Sequence, residues 1–286
     1  MSSRNDDGQA GCLYVVATPI GNLGDISTRA IEILKSVDYI LAEDTRVSKR
    51  LLDAYAIATR LRSFHDHNEA RVCQSVLDDI NTGTRVALIS DAGTPLLSDP
   101  GYLLVRRLHE AEMPVRVVPG PSALTAALSV AGLATRPVWF EGFLPPKHEA
   151  RMRRLESLAI LSATLVFYEA PHRVQAALED MCKVFGLTRK ASFARELSKR
   201  FEQTRMGTLE SLCDGLAQQA PRGEFVILVE GAEETKPEDL ELKRIVSLLL
   251  EELPTRKAAA LAAAITGVRR NEAYQLAIAL KEKDSE

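Results

Sequence analysis

The sequence predicts an α/β protein with two α/β domains and a small C-terminal helical extension. Short apolar runs alternate with helical segments, which favours mostly parallel sheets with helices packed against them. The length of 286 residues is enough for two domains and a small appendage. Three strand ends in the first half carry loops rich in glycine and proline. Open α/β sheets bind ligands at the carboxyl ends of their strands, so these loops are the first candidates for a functional site.

Composition sets the outer limits on function. Hydrophobic residues make up 46% of the chain and the net charge is -3, so an RNA site would have to be a local basic patch. The four cysteines lie far apart without a CxxC pair, which argues against a zinc site or a disulfide framework. The N-terminus lacks the apolar segment of a signal peptide, and no apolar run reaches the roughly 18 residues of a membrane span. We therefore expect a soluble, cytoplasmic protein that contacts no membrane.

Shifts in composition divide the chain into four segments. The polar start is expected to be disordered, and an acidic linker is expected to precede a helical tail. The expected boundaries are 1–11 for the disordered N-terminus, 12–119 for the first α/β domain, 120–235 for the second, and 236–286 for the helical extension.

The elements of the first half follow from apolar runs and from helix-capping residues. Ser27 is a predicted N-cap, because its hydroxyl can accept from the free amides of the helix that follows. The predicted strands cover 12–17, 39–42, 86–89 and 115–118, and the predicted helices cover 28–35, 47–54, 69–81, 102–111 and 122–131.

The second half repeats the pattern and ends in helices. The predicted strands cover 163–170, 191–197 and 225–231, and residues 139–146 are expected to form a crossing between the domains followed by a mobile loop. One helix is expected to start near 147, and another is expected to cover 174–185. In the tail, Thr255 and Asn271 are predicted N-caps and Gly267 a helix end. The tail is either a helix-turn-helix that contacts nucleic acid or an alanine-rich appendage that packs on the body.

Standard nucleotide and hydrolase motifs are missing from the loops. Gly21 and Gly24 do not form G-x-G-x-x-G, there is no G-x-x-x-x-G-K-[ST], and Ser122 is not in a G-x-S-x-G elbow. The loop 90–101 instead combines several prolines and glycines, which give its backbone a defined shape. Backbone-rich loops with small residues suit a nucleoside cofactor, whose edges can be recognised by backbone groups.

Seven motifs, in order, resemble those of the tetrapyrrole-methylase-like, class III methyltransferases. They lie at 18–25, 42–46, 90–101, 118–123, 140–145, 167–173 and 194–199. They are most similar to the branch of small-subunit ribosomal RNA (cytidine-2′-O)-methyltransferases, over about 13–231, and the tail resembles that branch's helical extension. The resemblance implies a class III fold with S-adenosylmethionine in the cleft between two α/β domains. It further implies a homodimer that methylates the ribose of a decoding-region cytidine in the 16S rRNA of the 30S subunit.

The resemblance also implies a set of cofactor-binding residues. They are Ile20, Gly21, Ala92, Gly93, Thr94, Leu97, Ser122, Ala123, Glu169, Ala170 and Pro171. The first loop departs from the Gly-x-Gly-Pro-Gly-Asp pattern of the tetrapyrrole enzymes, which fits a different acceptor. The second loop has Thr94 where the family's Gly-Gly-Asp-Pro has Asp, so backbone contacts are expected to carry more of the binding.

Transfer of a methyl group to a ribose hydroxyl would be helped by a general base, since the hydroxyl is a weak acid. Asp25, Asp44 and Glu196 are the candidates for the base or for substrate alignment. Each has a structural alternative, such as helix capping near Ser27 for Asp25 and pairing with Arg46 for Asp44. Asp91 and Asp99 are expected to brace the loop 90–101 and not to act as catalysts.

Two groups of basic residues are candidates for RNA contact. They are Lys147, Arg151, Arg153 and Arg154 in the first group, and Arg195, Lys199 and Arg200 in the second. Clustered Lys and Arg bind phosphates, although a solvated helix face is the alternative for the first group. His65 and His67 could ligate a metal, but a polar loop is favoured because no third ligand cluster accompanies them. The expected reaction needs no metal, and we expect no DNA partner.

Two other functions fit part of the pattern. One is a class III methyltransferase acting on a small, tetrapyrrole-like acceptor, which requires no basic surface near the acceptor. The other is a non-enzymatic RNA-binding assembly factor, which requires no methyl transfer.

Overall fold

The computed structural model describes residues 11–217, 222–233 and 237–283. The predicted disordered segment lies outside the described residues except for Gly11, and part of the predicted acidic linker also does. The contacts between Cα atoms divide the chain into two units, Met1–Gly231 and Ala232–Glu286.

The first unit begins with a five-stranded, entirely parallel sheet in the order β3-β2-β4-β1-β5. Its strands are β1 Cys12–Val16, β2 Tyr39–Ala42, β3 Arg60–Ser63, β4 Arg85–Ile89 and β5 Val115–Val118. Its helices are α1 Thr28–Ser36, α2 Thr45–Ala54, α3 Glu69–Asn81 and α4 Tyr102–Glu110, with a 3₁₀ turn at Leu23–Asp25. The inner strands are continuous apolar runs because helices cover both faces of a parallel sheet. Side chains of β1 alternate between the two cores, as Tyr14 and Leu13 show.

The second sheet is mixed, in the order β6-β7-β10-β8-β9. Its strands are β6 Val138–Phe143, β7 Thr164–Glu169, β8 Lys190–Arg195, β9 Gln203–Thr208 and β10 Phe225–Val229. The helices of this half are α5 Ala123–Val130, α6 His148–Leu158, α7 Val174–Phe185 and α8 Leu209–Ala217. Only β6 and β7 are parallel; β10 runs antiparallel to both β7 and β8, and β9 is antiparallel to β8. Strand and helix alternation therefore predicts the direction of the strands in the first sheet but not in the second.

Helix α5 packs on the second sheet although it follows the last strand of the first. Ala127 is fully buried in a core cluster with Val166 and Ala194. The small side chains of α5 allow this close contact with the sheet. The chain therefore passes from one α/β half to the other before α5 begins.

The second unit contains three helices within its described residues, α9 Pro237–Glu252, α10 Thr255–Thr266 and α11 Arg270–Lys283. Alanines of α10 and α11 pack with Val246 of α9 in a small core. Gly267 ends α10 in the left-handed conformation, with φ of 76°, as predicted. The two predicted caps are wrong: Thr255 is the first helical residue, with Pro254 at the N-cap position, and Asn271 lies inside α11.

Four elements have no counterpart in the sequence prediction, namely β3, β6, β9 and α8, and β6 occupies the first part of the segment 139–146 that is expected to be a domain crossing. Strands β3 and β9 are the edges of their sheets and carry polar residues, so they lack an apolar run. Other boundaries agree within one or two residues, and Ser27 caps α1 by accepting from the Ala30 amide at 3.1 Å. Within the described residues, no helix is long and apolar enough to cross a membrane.

A buried ion pair joins α6 to α7 and corrects the predicted role of Arg151. Its guanidinium is 6% exposed and donates from Nε to Asp180 Oδ2 at 2.9 Å. Burial alone would raise the pKa of Asp180, but hydrogen bonds from His148 and Arg151 outweigh it and the pKa is lowered. The Arg151 charge is therefore used inside the fold and is not presented to an RNA phosphate.

We expect Arg151→Met to lower the free energy of unfolding by about 3–5 kcal/mol, because it leaves the Asp180 carboxylate buried without its main partner. Arg153→Met is the matched control on the same helix, since the Arg153 side chain is 71% exposed and 4.0 Å from Glu149. It should change the stability by less than about 0.5 kcal/mol. Urea unfolding measures both, and equal losses in the two variants would contradict the assignment.

Candidate active site

A cleft of about 380 Å³ lies at the carboxyl edge of the first sheet and against the second. Strands β4, β1 and β5 are neighbours, so the loops that follow them meet at this edge. The described residues that line the cleft are Ile20, Asp91, Ala92, Gly93, Thr94, Leu97, Ser98, Asp99, Ser122, Ala123, Phe143, Tyr168, Glu169, Ala170, Pro171, Leu197, Glu224, Phe225 and Val226. The size is that of a small-molecule site.

Backbone hydrogen bonds hold the three loops of the first sheet together. Thr18 and Gly93 form an isolated antiparallel bridge, with N–H to O=C distances of 2.8 and 3.1 Å. Gly93 has φ of 83°, a conformation that favours glycine. The hydroxyl of Thr94 donates to the carbonyl of Pro121 at 3.0 Å, which adds the loop after β5. Hydrogen bonds therefore join the three loops into one wall of the cleft, which is built largely from backbone.

The opposite wall comes from the end of β7, the start of β10 and the start of α5. Glu169, at the end of β7, is 2% exposed and forms an ion pair with Arg173 at 3.1 Å. Burial raises the pKa of Glu169, and the Ala170 amide and Arg173 oppose that rise. The hydroxyl of Ser122 is buried beside Tyr168 without a well-formed hydrogen bond to a described residue. A ligand in the cleft could supply that partner.

The cleft is apolar and acidic. Its described lining includes the carboxylates Asp91, Asp99, Glu169 and Glu224 but no lysine or arginine. Burial raises the pKa of Asp99 to about 6. The negative charge of Asp91 adds to this rise, and a hydrogen bond from Ser90 opposes it. Such a cavity disfavours phosphate-rich ligands and favours a ligand that carries positive charge.

Glu43 follows β2 and is close enough to Asp91 and Asp99 for their negative charges to interact. Burial raises the pKa of Glu43 to about 6, and Asp91 and Asp99 add to the shift. Glu43 is not among the residues that line the cleft.

The structure places most of the predicted cofactor residues around this one cleft. The lining includes Ile20, Ala92, Gly93, Thr94, Leu97, Ser122, Ala123, Glu169, Ala170 and Pro171. The exception is Gly21, which is not among the described residues of the lining. A Cβ atom at Gly21 would lie 2.3 Å from Cε of Lys199, so the glycine makes room for that side chain and does not line the cleft.

Lys199 belongs to a segment of the second half that contacts the first loop. Its ammonium pairs with Glu196 at 2.9 Å and with Glu224 at 2.8 Å. In the same segment, the hydroxyl of Ser198 donates to the carboxylate of Asp25. Asp25 thus joins the first loop to the second half, whereas Glu196 pairs within the second half, and neither is among the described residues of the cleft lining. Lys199, predicted to bind RNA, is likewise engaged by carboxylates.

Asp44 also lies outside the cleft lining and has a structural partner. It is the N-cap of α2, and its Oδ1 accepts from the Arg46 amide at 2.8 Å. Its Oδ2 pairs with the Arg46 guanidinium at 2.6 Å. Hydrogen bonds from Arg46 hold the pKa of Asp44 well below its usual range. The structural alternative stated for Asp44 is therefore present.

The predicted RNA-binding residues differ in their exposure. Lys147 and Arg153 are exposed, whereas Arg154 pairs with Glu141 through Nη2 at 2.7 Å. In the second group, Arg200 is exposed with its guanidinium 5.5 Å from the Phe201 ring, and Arg195 is half-buried. Lys147, Arg153 and Arg200 are thus the most available cations of the two groups.

Several lining residues escaped the sequence prediction. Asp99, expected to brace its loop, also lines the cleft together with Asp91, and two carboxylates within the loop 90–101 are the sequence signal for this acidic wall. Phe143 and Glu224 become neighbours of this loop only through the pairing of the second sheet, which the local sequence does not reveal.

The His65 and His67 rings lie 5.9 Å apart, and the described residues contain no group of three or more His, Cys, Asp or Glu suited to a metal.

Comparisons with known proteins agree with this architecture. Residues 12–213 match the family described as "Tetrapyrrole (Corrin/Porphyrin) Methylases", and residues 236–281 match the "RsmI C-terminal HTH domain". The chain is 50% identical over 274 residues to "Ribosomal RNA small subunit methyltransferase I" of Pseudomonas aeruginosa, covering 94% of this chain and 97% of that protein. It is 45% identical to the protein of the same name from Escherichia coli O157:H7, covering 96% and 97%.

Solved structures of related fold are more distant in sequence. The methyltransferase CobJ has a TM-score of 0.58 at 20% identity, covering 79% of this chain and 96% of that chain. Diphthine synthase has a TM-score of 0.59 at 14% identity, covering 77% and 90%. At these identities the likeness shows the shared fold.

The capping role of Asp44 leads to a stability test. Asp44→Ala should lower the free energy of unfolding, because an amide in the first turn of α2 loses its acceptor. Asp44→Ser should retain most of the stability, since a serine hydroxyl can accept the same hydrogen bond. Urea unfolding compares the two variants, and an equal loss in both would contradict the capping role.

Proposed function

We propose that this chain, which belongs to the tetrapyrrole (corrin/porphyrin) methylase family, transfers a methyl group from S-adenosylmethionine to the ribose 2′-hydroxyl of a cytidine in small-subunit ribosomal RNA. The acceptor is a decoding-region cytidine of 16S rRNA within the 30S subunit. The observation that carries the proposal is a nucleoside-sized, acidic cleft of backbone-rich loops in a chain whose relatives bear the name of a ribosomal RNA methyltransferase.

The cleft suits the chemistry of S-adenosylmethionine. This cofactor is a nucleoside without phosphates, and it carries positive charge on its sulfonium and ammonium groups. The carboxylates of Asp91 and Asp99 complement that charge, and the buried hydroxyl of Ser122 offers a hydrogen bond to the bound molecule. Gly93 and Ala123 leave room for the nucleoside to approach the backbone.

The reaction is an in-line displacement. The ribose oxygen attacks the methyl carbon, the carbon–sulfur bond breaks, and its electron pair stays on sulfur, which leaves as a neutral thioether. The hydroxyl proton passes to a base or to water. Because the sulfonium is already a good leaving group, the main task of the protein is to hold the two atoms about 3 Å apart and to exclude water.

The carboxylates that line the cleft are better placed to act on the bound cofactor than the three predicted bases, which lie outside the described lining. Asp25, Asp44 and Glu196 each have a partner outside the described lining, which suits bracing, capping and loop alignment. Asp99 combines a place in the lining with a pKa near 6, so its carboxylate is charged at neutral pH and can attract the cationic methyl donor.

Exposed lysine and arginine side chains of the second α/β half would hold the RNA. Lys147, Arg153 and Arg200 are the candidates that remain accessible, and Arg195 stands at the end of β8. Contacts of this kind bind phosphates and weaken as salt increases. The site of action would be the cytoplasm, where ribosomal subunits are found.

The protein would act as a homodimer. Large hydrophobic side chains are exposed on the edge strands of both sheets: Val117 on β5, Trp139 and Phe143 on β6, and Met206 on β9. Unpaired edges that carry apolar groups are suited to association with a second copy.

Methyl transfer tests the proposal directly. Purified protein is incubated with methyl-labelled S-adenosylmethionine and either 30S subunits or naked 16S rRNA, and the RNA is digested to nucleosides. We expect the label in 2′-O-methylcytidine. Folded, cofactor-binding protein that labels neither RNA would contradict the proposal. Labelling of a tetrapyrrole instead would favour the small-molecule alternative, and RNA binding without any transfer would favour the assembly-factor alternative.

The pKa of Asp99 predicts how cofactor binding depends on pH. As pH falls from 7.5 through about 6, Asp99 takes up a proton and loses its charge, so the Kd for S-adenosylmethionine should rise. Asp99→Asn should raise the Kd at pH 7.5 by roughly tenfold, for a lost interaction of about 1.4 kcal/mol, and should flatten the pH dependence in this range.

Titration calorimetry across this pH range measures the effect. Glu43→Gln is the matched control, because Glu43 titrates near the same pH but does not line the cleft. It should retain a pH dependence of the Kd in this range, with its midpoint moved only slightly to lower pH because Asp99 loses one neighbouring negative charge. An Asp99→Asn variant with wild-type affinity and pH dependence would show that Asp99 does not face the cofactor.

A further inference from the structure

Charge is unevenly distributed over the helical unit at the end of the chain. Residues 254–283 contain six Lys or Arg and two Asp or Glu, whereas residues 237–253 contain two Lys or Arg and five Asp or Glu. The basic part consists of α10 and α11, and the acidic part is α9. The tail as a whole therefore looks mixed in charge, while one helical pair within it is basic.

A concavity of about 450 Å³ lies between the starts of these two basic helices. Arg256 lines it from α10, and Arg270, Asn271 and Tyr274 line it from α11. The buried Ala259 forms its floor, and its small side chain leaves the space open. No acidic residue is among the described residues of the lining.

The side chains of the concavity are available to a partner. Arg256, Arg270 and Asn271 are exposed, and Tyr274 is 37% exposed. Within the described part of the chain, neither arginine forms an ion pair. Two unpaired guanidinium groups with an amide and an aromatic ring are a suitable set for a phosphodiester with an adjacent base.

The backbone arrangement agrees with this chemistry. Helices α10 and α11 are joined by a three-residue turn, 267–269, that starts with the left-handed Gly267. A short glycine-containing turn of this kind joins the helices of a helix-turn-helix. In that motif the first residues of the second helix contact nucleic acid, and here they include Arg270, Asn271 and Tyr274.

We infer that Arg256, Arg270, Asn271 and Tyr274 form a second RNA-binding site, which holds the backbone and a neighbouring base of the ribosomal RNA substrate. The two arginines bind phosphate oxygens, Asn271 bonds to a base or ribose edge, and the Tyr274 ring stacks on a base. The choice of RNA as the partner rests on the proposed function.

The test uses the full-length protein and fluorescence anisotropy with a labelled 16S rRNA fragment, at several salt concentrations. Arg256→Ala/Arg270→Ala should raise the Kd for RNA roughly tenfold, and the slope of log K against log salt should become shallower by about 1.4 for two lost phosphate contacts. Tyr274→Ala should weaken binding while Tyr274→Phe retains it, because the ring and not the hydroxyl provides stacking.

Lys243→Ala/Arg244→Ala is the matched control, since it removes two exposed charges from α9 of the same unit. It should leave the RNA Kd and the salt slope near the wild-type values. Unchanged RNA binding in Arg256→Ala/Arg270→Ala, or an equal loss in the control, would overturn the inference. Equal competition by a DNA duplex of the same length would also overturn it, by assigning the site to nucleic acid in general.

Binding of S-adenosylmethionine, measured on every variant, confirms that the rest of the protein is intact. Because RNA binding is measured without turnover, the result is separable from the proposed function. Methyl transfer by the wild-type protein with no effect of the tail variants would overturn only the second site. Loss of RNA binding in the tail variants of a protein that transfers no methyl group would overturn only the proposed reaction.

Discussion

The pair of backbone hydrogen bonds between Thr18 and Gly93 is the constraint on which the candidate site depends. It joins the loops that follow β1 and β4, and the hydroxyl of Thr94 extends the connection to the loop that follows β5. The bridge requires Gly93 in a left-handed conformation, which glycine adopts without steric cost. Three loops that are distant in sequence thereby become one wall, and its binding groups are mostly backbone atoms. A wall of this kind can recognise a nucleoside without lysine or arginine, which leaves the cleft acidic.

The second half of the molecule completes the site through the pairing of strands that are distant in the sequence. Its mixed sheet brings the end of β7 and the start of β10 to the same edge, because these strands run in opposite directions. Glu169 and Phe225 are direct partners across that pair, although 56 positions separate them in the chain. The contact of Ser198 with Asp25 and the space that Gly21 leaves for Lys199 then join the second half to the first loop. The cleft is thus completed by the motif 167–173, which the sequence identifies, and by the start of β10, which it does not.

The sequence predicts the first sheet and its loops well for a physical reason. A central parallel strand such as Tyr39–Ala42 is buried on both faces and reads as a continuous apolar run. Edge strands such as Arg60–Ser63 lack that signal, and the strand directions of the second sheet depend on long-range pairing. The same limit applies to single side chains. The position of Arg151 on a basic helix start favours a surface role, but Asp180, 29 residues further on, meets it in the interior. Likewise, the sequence alone did not reveal that Asp99 faces the cleft.

A crystal structure with bound S-adenosylhomocysteine, the product of the methyl donor, tests the central claim most directly. We expect the adenosine between the Ala92–Thr94 backbone and Ser122–Ala123, the sulfur facing the open side of the cleft, and the ligand's ammonium near a carboxylate of the lining. Ordered ligand at another place on the protein, or an empty cleft in crystals grown with saturating ligand, would contradict the assignment of this cleft to the methyl donor.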